Sequence, residues 1–112
     1  MTGPFMVCKH DDGDGGVRIM VSGEIDHDVS EALSLILINA AEQSGVRHVV
    51  VDLATVPLLG AAGVRSLLTG RQVAVRHGRA FAVANARGVV RDTLRAAGVA
   101  GILAVETDAV TA

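Results

Sequence analysis

The run "VRHVVVDL", Val46 to Leu53, constrains this chain more than any other stretch. Its apolar residues are nearly continuous. Such runs suit a central parallel strand buried on both faces. Parallel neighbours cannot be joined by a tight turn, so helical crossovers must lie on either side of the run. The flanking sequence supplies them. In "GEIDHDVSEALSLILINAAEQSG", Val29, Leu33, Ile36 and Ala40 fall on one helical face, with Ala32 and Leu37 beside them. Asp26 or Asp28 can cap the start of that helix, and Gly45 ends it. Downstream, the segment from Ala61 to His77 places Val64, Leu67, Leu68 and Val75 inward. Arg65, Thr69, Gln72 and Arg76 form its outer stripe, and Gly78 closes it.

The remaining segments extend the alternation. "FMVCKH" (Phe5 to His10) and "VRIMVSG" (Val17 to Gly23) read as strands of period two, joined by the turn "DDGDGG" into a hairpin. "RAFAVAN", Arg79 to Asn85, reads as a second buried strand. "GVVRDTLRAAG", Gly88 to Gly98, reads as a short helix with Val90, Leu94 and Ala97 inward and Arg87, Arg91 and Arg95 outward. "GILAV", Gly101 to Val105, reads as a last short strand. The expected order is β-β-α-β-α-β-α-β. It makes an α/β fold with a mixed, mostly parallel sheet and right-handed crossovers.

With 112 residues, half of them apolar, the chain has the size and composition of one domain, with a core from about residue 5 to 105. Phe5 and Phe81 are its only aromatics, so the core must be aliphatic, and stacking platforms for single-stranded nucleic acid are absent. A net charge of −2 argues against nucleic acid and anionic membrane surfaces as partners. Cys8 is the only cysteine, which fits a reducing, cytoplasmic setting and reads as an inert, half-buried thiol. The uncharged stretch from Leu53 to Val64 is about half a membrane span and contains Pro57, so no membrane insertion is expected. No secretory leader is recognised at the N-terminus.

Sites of chemistry are sparse. "DDGDGG" fails as an EF-hand loop, because position twelve counted from Asp12 is Gly23 where a Glu is needed. Lys9 is the only lysine, and no phosphate-binding G-x-x-x-x-G-K-[ST] occurs. His10, His27, His48 and His77 are scattered. Asp52 lies at a strand end, where turn-forming or capping carboxylates are common. No catalytic set, cofactor motif or metal motif emerges. The join before the second long helix is unusual in another way. Helices commonly start on Ser, Thr, Asp or Asn, whose side chains accept from the first free N–H groups. Here "TVPLLGAAGVRSLL" offers Gly60-Ala61-Ala62-Gly63, with no polar side chain. Leu58, Leu59, Ala61 and Ala62 would give a small dry patch there, which suits a docking site.

Three segments together, "VSGEIDHDVSEAL", "VRHVVVDLATVPLLGAAGVRSLL" and "GVVRDTLRAAGV", resemble the STAS domain of bacterial anti-sigma factor antagonists. The resemblance covers roughly residues 5 to 105 and implies a non-enzymatic binding module. In that family the loop before the second helix is usually D-[ST]-[ST]-G, and a hydroxyl there is phosphorylated by a kinase-like anti-sigma factor. The unphosphorylated form binds that partner and frees a sigma factor. Matched residue by residue, the acid falls on Gly60, the hydroxyl positions on Ala61 and Ala62, and the glycine on Gly63. Ala62 stands at the usual phosphoacceptor position, so phosphorylation there is not expected. Thr55 and Ser66 are nearby hydroxyls outside the motif position.

The resemblance implies a partner surface of Leu59, Gly60, Ala61, Ala62, Gly63, Arg65 and Ser66, with Asp26 alongside. The implied partner is an anti-sigma factor. A STAS subunit of a transporter ATPase or signalling assembly is the alternative. A small-molecule binder or enzyme using the uncapped helix start as an anion site is a third reading, and homodimerisation is left open.

Overall fold

The β-branched and alternating segments form strands and the 3.6-periodic segments form helices. The computed structural model describes residues 4–103. Seven elements follow in chain order: β1 (Met6–Asp11), β2 (Gly16–Ser22), α1 (His27–Glu42), β3 (His48–Thr55), α2 (Ala61–Arg76), β4 (Ala80–Ala84) and α3 (Gly88–Ala96). The strands make one four-stranded sheet in the order β1-β2-β3-β4. The β1–β2 pair is antiparallel, and β2–β3 and β3–β4 are parallel.

The hairpin turn is built by its own acids. Asp11 Oδ1 accepts from Gly13 N at 3.0 Å, and Asp14 Oδ1 accepts from Gly16 N at 3.1 Å. Gly13 and Gly15 supply positive φ, 83° and 97°, which other residues rarely adopt.

Strand order follows chain order from β2 to β4. Successive right-handed crossovers in one direction therefore place α1 and α2 on the same face of the sheet. The core lies there. Val17, Ile19 and Val21 of β2, Val49, Val51 and Leu53 of β3, and Phe81 and Val83 of β4 are buried with Leu33 and Leu37 of α1 and Val64 and Leu67 of α2. Val90 and Leu94 of α3 join the same core. As expected, it is almost wholly aliphatic.

Four expectations need correction. β3 is buried on one face only: His48, Val50 and Asp52 are half-exposed. Its continuous apolar run reflects β-branched preference for strands as well as burial. In α2, Val75 is exposed, and the inward stripe is Gly63, Val64, Ser66, Leu67, Gly70 and Ala74. Small residues line it because α1 lies close: a Cβ on Gly70 would sit 2.8 Å from Leu37 Cβ. Ala32 of α1 and Ala97 after α3, both expected inward or beside the inner face, are exposed. Finally, the described part of the last expected strand, Gly101 to Leu103, is a turn, and the rest of that strand lies outside the described residues. The Leu103 carbonyl accepts from Val83 N of β4 at 3.1 Å.

Candidate functional site

β3 ends at Thr55, and the chain crosses to α2 through residues 56–60. This loop has an inside and an outside. Val56 and Leu59 are buried, whereas Pro57 and Leu58 are exposed. It runs beside the loop from β2 to α1, and backbone bonds fasten the two. Gly23 N donates to Thr55 O at 3.2 Å, Ile25 N to Leu58 O at 2.9 Å, and Gly60 N to Ile25 O at 2.8 Å. Ile25 and Leu59 form an isolated parallel bridge. The starts of α1 and α2 are therefore held side by side.

The two starts are capped differently. Asp26 caps α1, its Oδ1 accepting from Asp28 N at 3.0 Å and Val29 N at 3.4 Å. Gly60 is the N-cap of α2, with φ −82° and ψ 172°, and no side chain caps the helix. Val64 N donates to Gly60 O at 3.1 Å, so the helix closes its first turn without help. The positive end of α2 thus meets its surroundings with no acid in its first turn.

The expected contact residues divide by depth. Asp26, Ala61 and Arg65 are exposed, and Gly60 and Ala62 are half-exposed. Leu58 is 47% exposed, so it, Ala61 and Ala62 form the apolar patch above the buried Leu59. Leu59, Gly63 and Ser66 are buried and cannot serve as surface contacts in this conformation. Gly63 fills a packing role: a Cβ there would lie 2.6 Å from Leu59 Cδ1 and 2.7 Å from Ile25 Cγ2.

Ser66 is the one buried polar side chain among the described residues, at 2% exposure. Its Oγ accepts from Ser34 Oγ at 2.8 Å and faces Ser30 O at 2.7 Å and Ala62 O at 3.2 Å. The hydroxyl has one hydrogen, so it serves one carbonyl at a time, and Ser30 O is the nearer. This chain ties α1 to α2 directly beneath Ala62. Sequence reasoning missed Ile25 and the serine chain. An isolated apolar residue before a cap and small polar residues on a helix give no local signal of burial.

Asp52 stands apart from this loop, on the half-exposed face of the sheet. Arg18 reaches it with Nη2 at 2.8 Å and Nε at 3.2 Å from Oδ2, and Ala54 N donates to Oδ1 at 2.9 Å. Burial pushes its pKa up. The hydrogen bonds from Ala54, Asn85 and Arg18, with the Arg18 charge, outweigh burial and hold it below the ordinary carboxylate value. The carboxylate is committed to structure, but from inside β3, where it is paired with Met20 and Ala84, rather than from a turn or cap at a strand end. Among the described residues, no group of three His, Cys, Asp or Glu side chains could hold a metal ion. Nor is any described helix long and apolar enough to cross a membrane.

Comparison with known proteins places this geometry. A family model described as the STAS domain matches residues 7–112. No curated protein matches the chain. Among solved structures, an anti-sigma factor antagonist from Mycobacterium paratuberculosis is 25% identical, over 94% of this chain and 89% of that one, with a TM-score of 0.81. The anti-sigma factor antagonist SpoIIAA in its unphosphorylated form is 17% identical, over 95% and 92%, with a TM-score of 0.77. A sulfate transporter family protein from Wolinella succinogenes is 17% identical, over 83% and 82%, with a TM-score of 0.68. At 17% identity the likeness is one of fold. The family match spans almost the whole chain: this chain belongs to the STAS-domain family.

Proposed function

We propose that this chain is an anti-sigma factor antagonist-like regulatory protein, a binding module rather than an enzyme, that docks on a kinase-like anti-sigma factor through the joined starts of α1 and α2. The observation that carries the reading is the face made by Asp26, Gly60, Ala61, Ala62 and Arg65 with Leu58. These residues are surface-accessible, fixed by backbone bonds between the two loops, and carry no hydroxyl at the loop positions that are phosphorylated in family members. Binding there is not switched by phosphate on Ala62, because alanine has no nucleophilic oxygen. Ser66, the hydroxyl nearest in sequence, is buried and bonded to α1. The 25% identity to an antagonist supports this partner class over the transporter-linked alternative. The single cysteine and the family's role support action in the cytoplasm, on one domain spanning residues 1–112.

Affinity capture from the native cell, followed by mass spectrometry, tests the reading. A small kinase-like anti-sigma factor should be recovered by the parent and depleted with Ala62→Glu. Recovery of a transporter ATPase instead would assign the chain to the alternative class.

A further inference from the structure

A second cluster lies on the sheet, on the β1–β2 hairpin and bordered by Thr55 at the end of β3. Alternation along β1 puts Met6, Cys8 and His10 on one face, while Val7 turns to the core. The antiparallel register sets Cys8 directly opposite Met20, and Met6 opposite Ser22. Directly opposed residues hold their Cβ atoms about 4.5–5.5 Å apart. A shallow cavity of about 140 Å³ opens here, and Met6, Cys8, Met20, Ser22 and Thr55 contribute to its walls. Cys8 is exposed, contrary to the half-buried thiol expected from sequence. Met6 and Met20 are 61% and 37% exposed, so both side chains are accessible from solvent.

The donor set is chemically selective. It comprises one thiol and two thioethers, and no carboxylate lines the cavity. His10 is turned towards Asp12, its Nε2 3.6 Å from Oδ1. Thioethers are neutral and soft. They are poor ligands for calcium or magnesium, and soft sulfur sets select Cu(I). Methionine's three rotatable bonds let each sulfur swing towards a shared point. We propose that Met6, Cys8 and Met20 form a three-sulfur site for a monovalent soft cation of the Cu(I) class. On binding, the Cys8 S–H bond breaks, the proton leaves to solvent and a sulfur–metal bond forms, with no change in oxidation state. The thiolate cancels the single positive charge, so the occupied site adds no net charge beside the Arg18–Asp52 pair on the same face of the sheet. All three sulfur ligands lie on the β1–β2 hairpin, and the proposal is independent of the partner reading.

The test uses the full chain under anaerobic conditions, with Cu(I) in competition with a chromogenic Cu(I) chelator and Ag(I) as a redox-inert second probe. One equivalent should bind per monomeric chain, with release of a proton. Cys8→Ser should abolish binding, and Met20→Leu and Met6→Leu should each weaken it at least tenfold. Zn(II) should bind at least a hundredfold more weakly than Cu(I). Both methionine side chains are exposed, so urea midpoints of the leucine variants should match the parent and separate ligand loss from unfolding. Parent-like affinity in both leucine variants would overturn the proposal, since the metal would then rest on the thiol alone. Half an equivalent with a doubled molecular mass would overturn it too, because Cys8 would be bridging two chains.

Discussion

At the scale of single residues, two positions make opposite demands on charge. Asp52 is ionised and held so by Arg18, Asn85 and the Ala54 N–H. Its pKa is lower folded than unfolded, so the folded state binds fewer protons as pH falls below the ordinary carboxylate value of about 3.9. The stability it contributes is present above that value and is lost as pH falls through the folded pKa. Asp52→Asn should cost about 1–2 kcal/mol at neutral pH and progressively less below pH 4, read as urea midpoints of both proteins across pH. Position 60 demands nothing of the kind. Its φ of −82° suits any residue, and a Cβ would meet Ile25 O at an ordinary 3.4 Å. Gly60→Asp should therefore fold, with a gain of only a few tenths of a kcal/mol from capping. With Ala62→Ser added, the loop regains acid and hydroxyl together. Only that double variant should take up phosphate from a cognate kinase, by mass spectrometry of the loop. Uptake by the parent between Leu59 and Ser66 would contradict the proposed loss of the switch. Asp26 was legible as a cap because its position before an apolar periodic run is a local signal. Ser66 was not, because burial of a small polar residue depends on what another helix offers it.

At the scale of elements, the contact between α1 and α2 depends on close approach. Gly70 leaves no room for a methyl group beside Leu37 of α1, Gly63 leaves none beside Leu59 and Ile25 at the joined helix starts, and Ser66 supplies a polar bond between the helices. Alanine would improve helix propensity by about 1 kcal/mol at either glycine, while overpacking costs about 1–3 kcal/mol. At Gly63 the obstructing atoms are side-chain ends, but both belong to buried residues. At Gly70 one is Leu37 Cβ, which cannot move without its helix. Gly70→Ala should therefore destabilise at least as much as Gly63→Ala in thermal melts, despite the better propensity. A stabilised Gly70→Ala would show that the helices are further apart than described. Ser66→Ala should cost about 1–2 kcal/mol by leaving Ser34 Oγ without its acceptor. The helices themselves were readable from period and caps, but the facing surfaces were not. Val75 looked inward by its hydrophobicity and lies one position off the stripe that α1 selects.

At the scale of the whole molecule, the alternation of strands with amphipathic helices specified the α/β class, the hairpin and the parallel crossovers. It did not reveal that β3 has one half-exposed face, since a β-branched run looks the same with one helical layer or two. Nor could it show that the β2–α1 and β3–α2 loops lie together, a consequence of parallel pairing between residues more than thirty positions apart. That juxtaposition turns two ordinary helix starts into one surface. Its role as the docking face is tested most directly by calorimetric titration of the captured anti-sigma factor into the parent and into Ala62→Glu. A carboxylate in the first turn of α2 favours the helix dipole, so the variant should melt at or above the parent's temperature. Its affinity should fall at least tenfold, because the partner would meet a charge where the parent offers a small apolar side chain. Equal affinity in a folded Ala62→Glu would contradict the assignment of this face to the interface.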